Sequence, residues 1–338
     1  MRAVIMDEPH KARIGQWDAP RAREGEVIVA PKAVGVCAGD LYIFQGKNAY
    51  VRYPSVSGHE IAGVVAEVGP GVTGLTPGME VVVEPFLGCG KCYPCRVGKS
   101  NCCANLEIIG VTRPGGFAEL VAAPADHIHR VPSGLSFVTA SFVEPIAIGV
   151  QACRRGAIGA GEYVLILGCG PIGLSLIDVA RVRGARVVAT DTNPSRLEMA
   201  ERLGAEVLPS DGRLLDTVLS QTNGEGAPVV VEATGNAKAM EQTVDLVASG
   251  GRVVIVGLLN KGVMVNMPGL DFTRKEMTIL GSRASVRCFP EALELLASGK
   301  IHYPEVATTF DMWEGPRILR ELSENPGKLH KAVLVQND

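Results

Sequence analysis

The second half of the chain alternates short apolar runs with stretches of helical spacing. The apolar run that begins at Tyr163 predicts a buried strand, and strand and helix patterns then alternate as far as Gly281. The predicted strands are 163–167, 186–191, 205–208, 228–232, 251–256 and 276–281, and the predicted helices are 172–184, 194–204, 211–220 and 236–247. This alternation is typical of an α/β fold with a doubly wound parallel sheet.

The residues before about Phe142 follow a different pattern, in which short β-rich runs are broken by Gly, Pro and Asp. These runs are 27–36, 59–68, 79–84 and 117–123, and they predict an antiparallel or barrel-like domain. Helical spacing over 142–153 indicates a bridge into the second domain. After Gly281 the pattern predicts two helices and a final strand, at 289–298, 313–322 and 331–335. We expect that last strand to return to the first domain.

Composition narrows the class of protein. The chain has 338 residues, which is long for one core and favours two domains. It has 46% hydrophobic residues, 20% charged residues and a net charge of −3. This composition predicts an ordinary globular protein without nucleic acid or membrane as a partner. No signal peptide or membrane span is evident, so we expect a cytoplasmic location. Nine cysteines then indicate metal binding more than disulfides.

A glycine-rich loop follows the strand 163–167. Gly168, Gly170 and Gly173 form G-x-G-x-x-G, which allows a tight turn, close approach to a pyrophosphate and close helix–strand packing. The next predicted strand ends at Asp191, 18 residues beyond Gly173. A carboxylate there accepts hydrogen bonds from an adenosine ribose and repels a 2′-phosphate, so NAD is favoured over NADP. The remaining predicted cofactor-binding residues are Pro171, Ile172, Arg196, Thr234, Val256 and Gly257.

Four closely spaced cysteines predict a closed metal site. Cys89, Cys92 and Cys95 are followed, after a short loop, by Cys102 and Cys103. Four thiolates around a tetrahedral zinc leave no open position, so such a site is structural. We predict Cys103 as the fourth ligand. An iron–sulfur cluster or a redox dithiol are the alternatives.

A second set of potential ligands is dispersed. Cys37 follows an apolar strand, His59 and Glu60 precede another, and Glu144 begins the bridging helix. Three ligands of sulfur, nitrogen and oxygen type leave a fourth position open, which is the catalytic arrangement of zinc. Taken singly, however, a cysteine is usually a small buried hydrophobe, and the spacing alone does not unite these residues.

Several motifs together resemble the zinc-containing medium-chain dehydrogenases, and within them the sorbitol dehydrogenase-like branch that acts on polyols and sugar acids. The matching stretches are Gly35-Val-Cys-Ala-Gly-Asp40, Gly58-His-Glu60, the cysteine run 89–103, Val143-Glu-Pro145, Ala152-Cys-Arg-Arg-Gly156, Gly168-Cys-Gly-Pro-Ile-Gly173 and Glu232-Ala-Thr-Gly235. They extend over nearly the whole chain. The resemblance implies a GroES-like catalytic domain at 1–145 and 285–338, and a Rossmann NAD-binding domain at 146–284.

The resemblance also implies roles for the dispersed residues. Cys37, His59 and Glu144 would bind a catalytic zinc, with Glu60 beside or transiently on it. Asp40 would support this site without touching the metal. The alcohol dehydrogenase branch has cysteine in place of Glu144, so Glu144 itself indicates the polyol-like branch. Arg196 matches a position that often contacts the adenosine end of NAD, and relatives form dimers or tetramers.

One residue departs from the family pattern. Relatives usually carry Ser or Thr two residues after the zinc cysteine, where the hydroxyl passes the alcohol proton outward, but this chain has Gly39. Tyr42 or a water molecule beside Gly39 would have to replace that hydroxyl. Arg283, at the end of the second domain, would suit a carboxylate or a polyhydroxylated chain, and a strand cap or an ion pair is the alternative.

The resulting prediction is a zinc-dependent oxidoreductase that moves a hydride from a secondary alcohol of a polyol or hexonate-like sugar acid to NAD. Activities like those of L-threonine 3-dehydrogenase or a simple secondary-alcohol dehydrogenase remain open. A zinc-free quinone reductase would lack the cysteine lobe and the zinc ligands. A protein of another class, a non-catalytic NAD- and zinc-binding sensor, would need a broken catalytic site.

Overall fold

The computed structural model describes residues 1–336, and the chain divides into two compact units. The first unit contains Met1–Glu144, Phe289–Gly299 and the chain from Pro304 onward. The second contains Pro145–Cys288 and Lys300–Tyr303. The return to the first unit thus falls at Phe289, four residues after the position predicted from the sequence, and 300–303 belong to the second unit.

The first unit begins with nine strands and three helices, and a fourth helix contains the boundary between the units. In chain order these are β1 (Arg2–Glu8), β2 (Lys11–Gln16), β3 (Glu26–Gly35), α1 (Ala38–Phe44), β4 (Glu60–Val68), β5 (Glu80–Val83), β6 (Phe86–Leu87), α2 (Tyr93–Arg96), β7 (Glu107–Ile108), β8 (Val121–Pro124), β9 (Ile128–Arg130), α3 (Phe137–Ser141) and α4 (Val143–Arg155).

The second unit follows, and the chain then returns to the first. The second unit contains β10 (Tyr163–Leu167), α5 (Pro171–Val182), β11 (Arg186–Asp191), α6 (Pro194–Arg202), β12 (Glu206–Pro209), α7 (Leu214–Gln221), β13 (Ala227–Glu232), α8 (Ala237–Leu246), β14 (Val247–Ile255), α9 (Gly269–Lys275) and β15 (Thr278–Gly281). The returning elements are α10 (Phe289–Ala297), β16 (Ala307–Asp311), α11 (Gly315–Glu324) and β17 (Lys331–Val335).

A mostly antiparallel sheet forms the centre of the first unit. Its strands lie in the order β16-β17-β3-β4-β5-β9, with β8 also paired to β3, and only β16 and β17 run parallel. The final strand β17 pairs with β3 through Val333 and Gly35, as the predicted return of the chain requires. Most residues of β3, β5 and β17 are buried, and residues of these strands belong to one continuous apolar core.

The second unit is built on a six-stranded parallel sheet in the order β12-β11-β10-β13-β14-β15. Every residue of β10 is buried, which explains its continuous apolar sequence. Chain order reverses beside β10, between β11 on one side and β13 on the other. Ligands of doubly wound sheets bind at the carboxyl ends of the strands next to such a reversal. The predicted doubly wound sheet is confirmed.

Several elements of the local structure were not in the sequence prediction, among them β2, α1 and α3. The strand expected at 117–123 begins only at Val121, because Phe117 and Ala118 make isolated contacts with β1 instead. The short helix α9 and the strand β16 were also missed, since segments of seven and five residues are too short for a periodicity to stand out. Across residues 1–336, each helix is too short or too polar to traverse a lipid bilayer.

Candidate active site

Asp40 organises the first half of the candidate metal site. Cys37 precedes α1 in extended conformation, and its backbone N–H donates to Asp40 Oδ2 at 2.8 Å. Gly58 N–H donates to Asp40 Oδ1 at 3.0 Å, so one fully buried carboxylate ties the two ligand-bearing segments together. Burial alone would raise the pKa of Asp40, but the neighbouring His59 and both backbone donors hold it below its usual value.

His59 and Glu60 enter the site at the start of β4. Gly58 before them has φ +92°, and a Cβ there would lie 2.7 Å from the Phe117 ring, so glycine is required. His59 Nδ1 lies 3.6 Å from Asp40 Oδ1, which leaves Nε2 for a metal. Burial disfavours a charged imidazole, but Asp40 and Cys37 outweigh it and raise the pKa of His59 well above its usual value. The same negative charges favour a bound dication.

The structure brings three of the four predicted catalytic ligands together. One ligand atom from each of Cys37, His59 and Glu60 lies within 4.8 Å of the others. Glu144, the second residue of α4, is buried but lies outside this group. Burial raises the pKa of Glu144 to about 7, and the charges of His59 and Glu60 act on it in opposite directions. Glu144 is therefore a close neighbour of the group.

Lys331 contacts this site and was missed in the sequence. Its Nζ lies 2.5 Å from Glu60 Oε1, and both side chains are almost fully buried. The strand pairing explains the contact, because β17 runs beside β3, and Gly35 of β3 faces Glu60 of β4. A Cβ at Gly35 would lie 1.8 Å from Glu60 Oε2, so glycine makes room for this carboxylate. A lysine at the head of an apolar final strand was the only signal available in the sequence.

Gly39 and Tyr42 take different positions relative to the ligands. A Cβ at Gly39 would lie 3.4 Å from His59 Cε1 and 3.9 Å from Cys37 Sγ. A side chain at position 39 would therefore point toward these two predicted ligands. Tyr42, in contrast, is 48% exposed on α1. Of the two alternatives for the proton path, the space beside Gly39 is therefore the one adjacent to the ligands.

The four predicted structural cysteines form a compact group. Ligand sulfurs of Cys89, Cys92, Cys95 and Cys103 all lie within 4.8 Å of one another, whereas Cys102 is exposed. Cys92 Sγ lies 3.4 Å from Cys95 Sγ and 3.7 Å from Cys103 Sγ. Sulfurs on a tetrahedral zinc, with bonds of about 2.3 Å, lie about 3.8 Å apart. The spacing therefore fits a zinc ion.

Backbone donors around these sulfurs favour the thiolate form. Cys89 N–H and Asn105 N–H donate to Cys103 Sγ at 3.2 and 3.3 Å. Backbone N–H groups of Ala104 and Cys95 lower the pKa of Cys92 to about 6. Burial and the neighbouring thiols, in contrast, raise the pKa of Cys95 to about 12. Since metals bind thiolates, the backbone donors prepare only part of this group for a cation.

In the second unit, the glycine loop lies between β10 and α5. Gly168 has φ +98°, and a Cβ at Gly173 would lie 1.9 Å from Gly168 O, so both positions need glycine for the fold itself. A Cβ at Gly170 would meet no heavy atom of residues 1–336 within 4 Å. Packing within the chain therefore does not require glycine at position 170. The lack of a side chain there fits a position at which a ligand approaches the backbone. Pro171 and Ile172 then begin α5, whose N-terminal N–H groups suit a phosphate.

Asp191 at the end of β11 is held in a fixed orientation. Its Oδ2 accepts the Cys169 N–H and its Oδ1 the Asn193 N–H, each at 2.8 Å. Arg196 Nη1 lies 3.8 Å from Oδ2. The Cys169 contact links the glycine loop directly to the acidic residue. Burial raises the pKa of Cys169 to about 12, so this thiol stays protonated and is not a reactive group.

The remaining predicted cofactor residues surround a buried carboxylate. Glu232, at the end of β13, accepts N–H bonds from Thr234 and Gly235 at 2.7 and 3.0 Å and also accepts the Thr234 hydroxyl. Backbone N–H groups of Val256 and Gly257 donate to Glu232 O at 2.9 and 3.1 Å. Gly168 packs against Thr234, so these turns lie beside the glycine loop. Arg283 is exposed in the loop after β15.

Comparison with known proteins decides the family. Residues 23–133 match the alcohol dehydrogenase GroES-like domain, and residues 171–298 match the zinc-binding dehydrogenase domain. The chain is 38% identical over 305 residues to L-galactonate-5-dehydrogenase of Escherichia coli K12, covering 89% of this chain and 88% of that protein. The chain belongs to the zinc-containing medium-chain dehydrogenases. The resemblance inferred from its motifs is confirmed.

Other relatives of this dehydrogenase cover it equally well. It is 36% identical over 328 residues to L-threonine 3-dehydrogenase of Bacillus licheniformis, which covers 94% of this chain and 93% of that protein. A crystal structure of an alcohol dehydrogenase (rspB) of E. coli CFT073 with NADH has a TM-score of 0.92 and 30% identity over 99% of each chain. The GroES-like and Rossmann-type fold class of this dehydrogenase is thus confirmed.

Asp191 provides a test of how this dehydrogenase chooses its nucleotide. We expect Asp191→Asn to lower kcat/KM for NAD by about 10–100-fold, since a charged hydrogen-bond acceptor is lost. The kcat/KM for NADP should rise, because the variant no longer repels a 2′-phosphate. Steady-state kinetics with both nucleotides measures the effect. Asp211→Asn, an exposed aspartate of the same unit, is the control, and an unchanged NAD preference in Asp191→Asn would contradict the assignment.

Proposed function

We propose that this dehydrogenase oxidises a secondary alcohol of a sugar acid or polyol and passes the hydride to NAD. The observation that carries the proposal is the buried group of Cys37, His59 and Glu60, with Glu144 beside it. The likeness to L-galactonate-5-dehydrogenase supports a hexonate-like substrate. A non-catalytic sensor would require this group to be broken, and its members are all present and close together.

The donor set fits a catalytic zinc at this site. Sulfur, nitrogen and carboxylate oxygen are typical zinc ligands, and Glu60 Oε2 is buried without a hydrogen-bond partner among residues 1–336. When bound, zinc supplies a Lewis acid that lowers the pKa of an alcohol. Asp40 holds the Cys37 backbone and places a negative charge beside His59 Nδ1. The space beside Gly39 gives room for a water that carries the alcohol proton outward.

The second unit supplies the nucleotide site. We assign the pyrophosphate to the N-terminal N–H groups of α5 over Gly170, and the adenosine ribose to Asp191, with Arg196 at the adenosine end. Thr234, Val256 and Gly257 complete the site around the Glu232 turns. Two zinc ions per chain, one at each cysteine-containing group, and NAD are the resulting cofactors.

The experiment that tests the function is NAD reduction across a substrate panel, paired with zinc content per chain. The panel contains hexonates, the matching hexitols, L-threonine and simple secondary alcohols. We expect two zincs per chain and kcat/KM highest for a hexonate. One zinc per chain and no NADH with any alcohol would overturn the proposal.

We further propose that Arg283 contacts the carboxylate of the sugar acid. Replacement by Met should lower kcat/KM for a hexonate by about 10–100-fold, through KM, because a charge-assisted hydrogen bond is lost. Turnover of the matching hexitol, which has no carboxylate, should change little. Arg202→Met, an exposed arginine at the end of α6 in the same unit, is the control. Equal losses with hexonate and hexitol would show that Arg283 acts on the fold instead.

L-Threonine is the second candidate substrate, because threonine dehydrogenases are almost as similar to this chain as the galactonate enzyme is. Threonine and a hexonate both carry a carboxylate, so Arg283 does not separate them. The substrate panel does: NADH formation with L-threonine and none with hexonates would replace the sugar-acid assignment.

We propose that the protein forms homodimers or homotetramers. The segment between β14 and β15 exposes large apolar side chains, with Leu258, Met264 and Leu270 each more than 60% exposed, and β15 ends the order of the parallel sheet. Exposed apolar clusters of this kind mark association sites. Light scattering should give the mass of two or four chains, and a monomer would refute the proposal.

We also propose a cytoplasmic location. All nine cysteines are free thiols, and such thiols persist where the compartment is reducing. Cell fractionation tests this directly.

A further inference from the structure

Glu232 is a buried carboxylate that lacks a cationic partner. It ends β13, and its side chain is fully buried. Within residues 1–336, no lysine, arginine or histidine forms an ion pair with it. Asp178, which is as deeply buried in the same unit, in contrast pairs with Arg181 Nη2 at 2.6 Å. A buried charge is costly unless it is paired, so the missing cation of Glu232 requires an explanation.

The two carboxylate oxygens of Glu232 have different surroundings. Oε1 accepts the N–H groups of Thr234 and Gly235 at 2.7 and 3.0 Å, and it also accepts the Thr234 hydroxyl. Three donors on one oxygen fit an ionised carboxylate, which accepts hydrogen bonds and cannot donate them. Oε2 is buried and accepts no hydrogen bond within residues 1–336. A Cβ at Gly257 would lie 2.5 Å from Oε2, so this oxygen lies against bare backbone.

The nicotinamide half of NAD is expected on the side of the sheet where Glu232 lies. A dinucleotide extends across the carboxyl ends of the strands on both sides of the reversal in chain order. On one side of β10, Asp191 at the end of β11 is assigned to the adenosine ribose. The other half then extends over the ends of β13 and β14, where the turns around Glu232 lie. Gly168 packs against Thr234, so these turns adjoin the loop assigned to the pyrophosphate.

We propose that Glu232 shifts the relative affinity of the nucleotide site toward oxidised NAD and away from NADH. The nicotinamide ring carries a positive charge in NAD and none in NADH. A buried carboxylate without a cation of its own attracts the charged ring and offers no comparable attraction to the neutral one. Glu232 is therefore a residue that determines specificity for the redox state of the cofactor, and its charge favours the release of NADH. The inference rests on the nucleotide site of the proposed function.

Glu232→Gln provides the test, because it removes the charge and keeps both the size and the oxygen that accepts from Thr234 and Gly235. We expect the Kd for NAD to rise by about tenfold, the order expected for one partly screened pair of charges. The Kd for NADH should change by less than about twofold, since its nicotinamide ring is neutral. Isothermal titration calorimetry of the zinc-loaded protein, without an alcohol present, measures both constants.

A purely structural role of Glu232 predicts a different result. If the carboxylate only supported the turn at Thr234 and Gly235, its replacement would change the affinities for NAD and NADH by the same factor. ADP-ribose, which lacks the nicotinamide, reports on the rest of the nucleotide site, and its Kd should not change. An equal change for NAD and NADH, or no change for either, would overturn the proposal.

Glu232→Asp and Glu232→Asn give the same comparison if Glu232→Gln fails to fold. These two variants have side chains of the same length and differ in charge. The ratio of the Kd for NAD to the Kd for NADH should be lower in Glu232→Asp than in Glu232→Asn. Equal ratios in the two variants would show that the charge has no effect on the choice of redox state.

Glu225→Gln is the matched control. Glu225 is exposed and lies two residues before β13, at the opposite end of the same strand. A strand of six residues is about 20 Å long, which exceeds the Debye length of about 10 Å, so this charge should not affect nucleotide binding.

The wild-type protein separates the two possible failures. If it binds neither NAD nor NADH, the nucleotide site of the proposed function fails together with this inference. If it binds both nucleotides and Glu232→Gln keeps the same ratio of the two constants, only this inference fails.

Discussion

Replacement of Cys37 by serine is expected to abolish turnover while the protein remains folded. The thiolate is a ligand of the proposed catalytic zinc, and a serine hydroxyl at this site is a much weaker one. Loss of a residue that only supports a metal ligand costs about 10–100-fold, so loss of the ligand itself should lower kcat/KM by more than that, on the order of 10³-fold. Zinc content should fall from two ions per chain to one.

Metal analysis and NADH formation measure these two effects, and NADH binding supplies an independent check. The glycine loop and Asp191 belong to the other unit, so NADH binding should persist in Cys37→Ser. Asp40→Asn should give a smaller loss, about 10–100-fold, because Asp40 binds the backbone of Cys37 and Gly58 and lies beside His59 without being a ligand. Full activity of Cys37→Ser with one zinc per chain would exclude the catalytic assignment.

Replacement of Cys103 by serine is expected to destabilise the protein and to remove the other zinc. Cys103 is buried among the sulfurs of Cys89, Cys92 and Cys95, and it accepts two backbone N–H bonds. A structural zinc site contributes folding energy directly. A loss of a few kcal/mol in a chain of this size should lower Tm by at least about 5 °C.

Cys102 is an unusually close control for this experiment, because it is the adjacent residue and carries the same thiol. Its side chain is exposed and lies outside the sulfur group. Cys102→Ser should keep both zincs and change Tm by no more than about 1 °C, as a surface substitution does. Similar losses in both variants, measured by calorimetry and metal analysis, would contradict the assignment of Cys103 as the fourth ligand.

Local patterns in the sequence were enough to predict the second unit closely. The strand at 163–167, the loop from Gly168 to Gly173 and the acid at Asp191 all depend on residues near one another in the chain. Strands buried on both faces are continuously apolar, and glycines are needed where φ is positive, so both features are visible in the sequence. The four cysteines of the lobe were predictable for the same reason, since one short loop carries them.

The proximity of Cys37, His59 and Glu60 was predictable only by resemblance. Cys37, Glu60 and Glu144 are separated by 23 and 84 positions, and nothing in their spacing places them together. The pairing of β3 with β4 aligns Gly35 with Glu60, and Asp40 then connects Cys37 to Gly58. Such contacts depend on strand register, which is set by the packing of the whole sheet.

The sequence by itself determined the fold class, the glycine loop and the cysteine lobe, because each depends on local periodicity or close spacing. Only the tertiary structure decided that Glu60 belongs to the group of Cys37 and His59, that Tyr42 is half-exposed on α1, and that Lys331 reaches Glu60 across 271 positions of the chain. The physical reason is that the position of a buried charge such as Glu60 depends on its charged partner. That partner, Lys331, lies on β17, the last strand of the chain to join the sheet.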